Sequence, residues 1–300
     1  MGYSCGMSRP TTFNEVIGQN AIKSQLEISI KAARMQGKPM PHLLISGPGG
    51  LGKTTIANCA ANLMGTPYVE GNATTLESAD TLIDTICNIP PNGILFIDEI
   101  HNLDRVTQET LYTVMEDFQL VDKSMYGLRI NPFTLIGATT HAGKLRESFL
   151  TRFKLRCQID YYSPEELAEV VKRLFGFAHT PALKIGEVSR GIPRVAISYA
   201  EWVRDWCMVK GCEVWDEFIT PALEAIGVDS LGLTPQDRQY LEVLSRNFRG
   251  GPAGLAAIAA SMNTAVETLE NEIEPFLLRN AYIIRTPRGR KINQYAPRAH

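Results

Sequence analysis

Eight residues, Gly47-Pro48-Gly49-Gly50-Leu51-Gly52-Lys53-Thr54, fit the pattern GxxxxGK(S/T). Each residue type serves phosphate binding. Glycines let the backbone wrap an anion with its N–H groups pointing inward. The N-terminus of a following helix favours the same negative charge. Lys53 can reach the β- and γ-phosphates of a nucleotide, and the Thr54 hydroxyl can ligate magnesium. The apolar run His42-Leu43-Leu44-Ile45-Ser46 precedes the motif and a helical pattern follows it, which is the context it needs. A chance glycine-rich turn would lack both flanks. The nucleotide-binding set is therefore Gly49, Gly50, Leu51, Gly52, Lys53, Thr54 and Thr55.

A second signal is Ile94-Leu95-Phe96-Ile97-Asp98-Glu99, an apolar run ending in two carboxylates. A buried strand would deliver both at its C-terminal end, where α/β sheets place their sites. Asp98 would hold Mg2+ through water, and Glu99 would polarise the attacking water as general base. His101, two residues on, reads as a supporting or packing residue. A third run, Thr134 to Thr140, also ends in hydroxyls, so Thr140 could orient that water, although ordinary strand-end threonines look the same. Arg152 and Arg194 stand beside expected domain or subunit edges. An arginine supplied to a γ-phosphate accelerates hydrolysis by roughly 10³–10⁵, but lone arginines are usually solvated.

These residues need a scaffold. Short apolar runs at Leu43–Ser46, Tyr68–Glu70, Ile94–Asp98, Thr134–Thr139 and Cys157–Asp160 read as buried strands. Helical patterns at Ala21–Met35, Thr54–Met64, Ser78–Ile89 and Val106–Phe118 lie between them. The alternation predicts a parallel sheet covered on both faces. From Ser163 the strand signal stops. Ser163-Pro164-Glu165-Glu166 reads as a capping box with proline at the first helical position, and helical patterns run to about Ile226. After the break Gly227–Gly232, helical patterns near Pro235–Phe248, Pro252–Met262 and Thr264–Arg279 precede a strand-like run, Ala281–Thr286, and the basic turn Pro287-Arg288-Gly289-Arg290. Three helices and a basic hairpin make the pattern of a winged helix.

The 300 residues suffice for two or three domains, with 44% hydrophobic and 21% charged residues, as in ordinary globular chains. The net charge of −2 hides an asymmetry. From Phe276 to His300 there is no acidic residue, while Arg279, Arg285, Arg288, Arg290, Lys291 and Arg298 are basic. A local basic face matters more for phosphate contacts than the total. The six cysteines, Cys5, Cys59, Cys87, Cys157, Cys207 and Cys212, form no CxxC pair and read mostly as buried thiols. Trp202, Trp206 and Trp215 are spaced like helix core. No run reaches the roughly 18 apolar residues of a membrane span, and the start lacks a signal-peptide core, so a cytoplasmic location is expected.

The blocks together resemble an AAA+ ATPase, and their wording resembles the RuvB family. The resemblance rests on RPTTFNEVIGQ from Arg9, then GPGGLGKTT, FIDEIHNL, VMEDFQL, PFTLIGATTHAG, SRGIPRVA, GPAGLAAIA and EPFLLRNAYIIRTPRGR. It implies an α/β ATPase domain over 1–160, a helical lid over 161–228 and a winged-helix DNA domain over 229–300. It implies an adenine pocket lined by the Arg9–Gln19 segment, with Ile17 and Gly18 against the base. Lys53 and Thr54 would be Walker A, Asp98 and Glu99 Walker B, and Thr140 sensor 1. Arg152 would be the finger inserted into a neighbouring subunit's site, and Arg194 sensor 2. Arg285, Arg288, Arg290 and Lys291 would meet DNA. The implied activity is ATP- and Mg2+-dependent branch migration of four-way DNA junctions by a ring, a hexamer, acting on duplex DNA.

The chain departs from the family pattern. Gly49 stands where the family has proline, and Phe149-Leu150-Thr151-Arg152-Phe153 stands for LRDRF, with one arginine fewer. The lid between Leu174 and Ile192 is shorter. So is the hairpin 121–131, the family's contact with the junction-binding RuvA, which leaves Tyr126 and Leu128 as a small apolar tip and counts against a conventional RuvA partner. A divergent, phage-type member is one reading of these trims. Two other functions fit the ATPase half: a clamp-loader-like switch that releases a protein partner, and a nucleotide-regulated DNA binder with negligible turnover. The basic C-terminal region speaks against the first, and intact Glu99 and Arg152 against the second.

Overall fold

The computed structural model describes residues 9–74, 76, 78–120 and 128–293. The chain divides into two compact units, Met1–Tyr162 and Ser163–His300. In the first, α-helices α1 (Asn20–Gln36), α2 (Lys53–Met64), α3 (Ala79–Cys87), α4 (Arg105–Asp117) and α5 (Glu147–Leu150) alternate with strands β1 (Leu43–Ser46), β2 (Tyr68–Asn72), β3 (Ile94–Asp98), β4 (Gln119–Leu120), β5 (Leu128–Arg129), β6 (Thr134–Thr139) and β7 (Leu155–Gln158). Five strands form a parallel sheet in the order β2-β3-β6-β1-β7, while β4 and β5 pair antiparallel by themselves.

The sheet's middle is apolar because both faces are covered. All six residues of β6 are buried, as are Ile94 to Ile97 of β3. The buried Thr134 hydroxyl is satisfied by the Met40 carbonyl at 2.7 Å. One core cluster joins Leu95, Ile97, Leu111, Phe133, Leu135 and Phe149. Each such side chain contributes about 1.5–3 kcal/mol of burial. The last strand begins two residues earlier than Cys157–Asp160, the range expected from sequence. Parallel pairing with β1 (Leu43 against Leu155, Ser46 against Gln158) sets its register, and Leu155 and Arg156 hid it behind a mixed polarity.

The second unit opens with the expected cap. The Ser163 side chain accepts from Glu166 N at 3.2 Å, and Glu166 accepts from Ser163 N at 2.9 Å. Helices α6 (Pro164–Phe175), α7 (His179–Val188), α8 (Pro193–Lys210) and α9 (Asp216–Glu224) follow. Next come α10 (Pro235–Arg246), α11 (Leu255–Met262), α12 (Val266–Thr268) and α13 (Glu274–Arg279), then the hairpin β8 (Ile283–Thr286) and β9 (Gly289–Ile292). Leu244, Tyr240, Ile258, Leu269, Leu277 and Ile283 share a second core. Between α12 and α13 the helix widens into a π turn, Leu269–Ile273.

The tryptophans correct the expectation of helix core. The buried stripe of α8 is Ala196, Ala200, Val203 and Cys207, and Trp202 lies off it, exposed, donating from Nε1 to Ala222 O at 2.6 Å. Trp215 is also exposed; Trp206 is half-buried against Phe218. Of the cysteines, Cys59, Cys157 and Cys207 are buried and Cys87 is exposed; Cys5 lies outside the described residues.

Candidate functional site

Strands β1, β6 and β3 are neighbours in the sheet, so their C-terminal ends share one edge. The loop after β1 is bent by Gly47, Gly50 and Gly52 at φ of 148°, 80° and 97°. A side chain at Gly47 would meet Ile159 O at 2.9 Å, so the loop needs glycine there for space as well as for conformation. Gly52 is the N-cap of α2, and Lys53 and Thr54 fall in its first turn. The buried Lys53 ammonium donates to the carbonyls of Gly47 at 2.8 Å and Pro48 at 3.0 Å. A glycine cradle, a helix N-terminus and a cation turned to the loop suit a polyphosphate.

Glu99 follows β3 in the left-handed region, at φ 48°, a conformation non-glycine residues adopt mostly at special sites. Its N–H donates to Asp98 Oδ1 at 3.0 Å. Its Oε2 accepts from Thr140 N at 3.1 Å and Thr140 Oγ1 at 2.9 Å. Thr140 is thereby joined directly to the carboxylate. Since the Thr140 hydroxyl donates to Glu99, it accepts from His141 Nδ1 at 2.9 Å. His101 Nδ1 lies 3.2 Å from Glu99 Oε2 and 3.0 Å from Thr139 Oγ1. Burial lowers the His101 pKa, and His141 and lysine charges add to that while Glu99 opposes it. The ring is thus a neutral support for Glu99. The sequence allows it a supporting role, and its contact with Thr139 arises only because β3 and β6 lie side by side.

The segment before α1 leans on the nucleotide-loop helix. Asn62 donates to Thr11 O at 2.9 Å, and Gln19 donates to Asp160 O at 2.8 Å. Gly18 and Gln19 both sit at positive φ, 67° and 52°, which turns the chain there. Ile17 and Gly18 are half-buried and Arg9 is exposed. Arg152 follows α5 with its guanidinium on Tyr112 and Glu116 of α4; the Glu116 bond is 2.9 Å. Arg194 is exposed in the first turn of α8. Thr54 and Asp98 carry oxygens that could hold magnesium. Among the described residues no cluster of His, Cys, Asp and Glu makes a ready-built cage. That sparse donor set suits magnesium, which keeps waters and phosphate oxygens as ligands.

The wing is organised around an acid. Glu274 is fully buried and accepts from Arg290 Nε at 2.8 Å, Arg285 Nη2 at 2.8 Å and Tyr240 Oη at 2.7 Å. Burial alone would raise its carboxyl, but the bonds from Arg290, Tyr240 and Arg285 outweigh it and hold the pKa down. Of the four expected DNA contacts, Arg285 and Arg290 thus carry an internal ion pair. Arg288, at the hairpin tip, is exposed, and Lys291 lines an open cleft with Ser245, Arg249 and Gly250.

Residues 8–159 match the family described as Holliday junction DNA helicase RuvB P-loop domain, and residues 230–298 match the RuvB C-terminal winged helix domain. The chain belongs to the RuvB family. It is 43% identical over 296 residues to the Holliday junction branch migration complex subunit RuvB of Rhodopirellula baltica, covering 94% of this chain and 81% of that protein. The same-named protein of Paramagnetospirillum magneticum is 39% identical over 298 residues, covering 95% and 86%. The fold is similar to that of the Thermotoga maritima RuvB Holliday junction branch migration motor, with a TM-score of 0.87, 36% identity and 95% of each chain covered. Membership in RuvB accounts for the P-loop sheet and the winged helix together. The hairpin tip, residues 121–127, lies outside the described residues; only its base, β4 with β5, is described. No described helix is long and apolar enough to cross a membrane.

Proposed function

We propose that this chain is an ATP-driven motor that moves four-way DNA junctions, with ATP bound between subunits of a ring, a hexamer. The observation that carries the reading is the hydrogen bond from Thr140 to Glu99 beside the glycine loop, in a chain that also ends in a winged helix. A carboxylate oriented by a neighbouring strand end is a general base waiting for water, and a winged helix gives hydrolysis something to move. Residues 1–160 act as the ATPase domain, 161–228 as the lid and 229–300 as the DNA domain. Backbone N–H groups of Gly49 to Gly52, with Lys53 and Thr55, hold the phosphates; Arg9, Ile17 and Gly18 face the base. Thr54 and Asp98 would hold magnesium, which would supply neutralisation of phosphate charge. Glu99 takes the proton of the attacking water while Thr140 fixes its carboxylate. Arg152 reaches the next subunit's γ-phosphate, and Arg194 reports nucleotide to the lid.

Strand exchange on a synthetic four-way junction with ATP tests the reading, with Lys53→Ala as control, with and without a RuvA-type protein. Junction movement that needs ATP and Lys53 supports it. ATP turnover indifferent to junction DNA, but stimulated by a sliding clamp, would favour a loader instead. The same assay shows whether this chain needs a RuvA-type partner.

A further inference from the structure

The turn between α7 and α8 holds Arg190 and Gly191, both left-handed at φ 60° and 73°, just before the helix that carries Arg194. The Arg190 side chain reaches into the junction with the winged helix. Its Nε and Nη2 donate to Gly232 O at 3.1 and 2.9 Å, and Nη2 also pairs with Asp237. Its guanidinium carbon lies 4.3 Å from the Phe276 ring centroid, and Arg279 donates back to the Arg190 carbonyl. Asp237 is fully buried in the first turn of α10, where it also accepts from Thr234 N at 2.7 Å. One side chain therefore ties the lid's turn to the connecting segment and to two helices of the winged-helix core.

The connecting segment is itself stiff. Asp229 Oδ1 accepts from Leu231 N at 3.0 Å and Leu233 N at 2.8 Å. Arg238 spans it, donating to Gly227 O at 2.7 Å and Leu233 O at 2.9 Å. Gly232, at φ 75°, comes so close to the lid that an added Cβ would meet Val188 O at 2.8 Å. What reads in sequence as a break is a hydrogen-bonded, close-packed joint.

We infer that Arg190 is a positioning residue that welds the lid to the winged helix, so that movement of the Arg194 helix reaches DNA as a rigid-body displacement. The inference rests on the reading that Arg194 senses nucleotide and that the chain moves junctions. Coupling of this kind is a free energy between two sites, and losing it changes communication without removing either site.

The test measures ATP consumed per junction moved, in full-length protein, for wild type, Arg190→Ala, Arg190→Lys and Asp237→Asn. Asp237→Asn keeps an acceptor for the Thr234 cap and removes only the charge. The expected result is roughly a tenfold rise in ATP per junction for Arg190→Ala. DNA affinity and DNA-independent turnover stay within about twofold, and Arg190→Lys recovers part of the loss. If Arg190→Ala fails to fold, Asp237→Asn decides alone by the same ratio. An unchanged ratio in the folded variants overturns the inference. Failure of wild type itself to move junctions would instead sink the function proposed above.

Discussion

The guanidinium carbon of Arg152 lies 4.2 Å from the centroid of the Tyr112 ring, and Glu116, one turn further along the same helix, takes its charge. The Tyr112 hydroxyl and the Glu116 carboxylate both raise the Arg152 pKa, the tyrosine bond most. A finger must leave this rest position to reach a neighbour's nucleotide. Arg152→Ala is expected to lower ATP turnover by about 10³-fold or more, with nucleotide affinity little changed. Tyr112→Phe and Glu116→Gln keep the finger and are expected to change turnover far less. Steady-state hydrolysis across protein concentration measures this. Full turnover in the Arg152 variant would remove it from the chemistry.

Variants of Glu99 and Thr140 are expected to separate binding from chemistry. Glu99→Gln should bind nucleotide as wild type does and lose about 10²–10⁴-fold in turnover. Thr140→Val removes the hydroxyl bond and leaves the Thr140 N–H bond, so a smaller loss in kcat at similar KM is expected. Unchanged turnover in Glu99→Gln would mean that Glu99 is not the base. Lys53→Ala should abolish binding, read by nucleotide titration.

His42 predicts an acid-sensitive fold. The Leu135 N–H donates to its Nδ1 at 2.8 Å, and its Nε2 meets Met115 O at 3.2 Å. Nδ1 must therefore be unprotonated. Burial dominates in lowering its pKa to about 4 from 6.5, Lys154 adding to it against the Met115 bond. Above pH 6.5 the ring is neutral folded and unfolded. As pH falls through 6.5 the unfolded chain binds a proton that the folded chain refuses until about pH 4, so stability falls across that window and levels off below it. The loss amounts to ~3 kcal/mol at about 1.4 kcal/mol per pKa unit. Thermal melts of wild type and His42→Gln between those pH values should show a shallower slope in the variant.

The wing divides into residues that build it and residues that face outward. Arg290→Ala leaves Glu274 buried with fewer partners, and should cost about 3 kcal/mol of stability, read by denaturant unfolding. Arg288→Ala and Lys291→Ala should leave stability unchanged. Each should reduce the slope of log K against log salt for duplex DNA by about one. A full-strength salt slope in the double variant would move the DNA contact elsewhere.

The sequence made the parallel sheet legible because its inner strands β1, β3 and β6 are apolar runs that lead into the candidate site residues. The P-loop, the Asp98-Glu99 pair and the Ser163 capping box are local patterns, so spacing alone located them. Distance in sequence hid the rest. The Glu274 carboxylate lies outside the acid-free tail, and only the folded hairpin brings Arg285 and Arg290 onto it. Tyr112 and Glu116 meet Arg152 only because α4 passes the end of α5. Trp202 has core spacing but misses the narrow small-residue stripe by which α8 is buried.

The π turn Leu269–Ile273 has a bearing on how this chain tolerates change in length. Such a turn is an α-helix carrying one residue more than its ladder needs, with the flanking segments still in phase. We expect a variant lacking one of these residues to relax into plain α-helix and still aim Glu274 at the hairpin, keeping its melting temperature. The same deletion in α10 would swing Tyr240 by about 100° and unmake the wing.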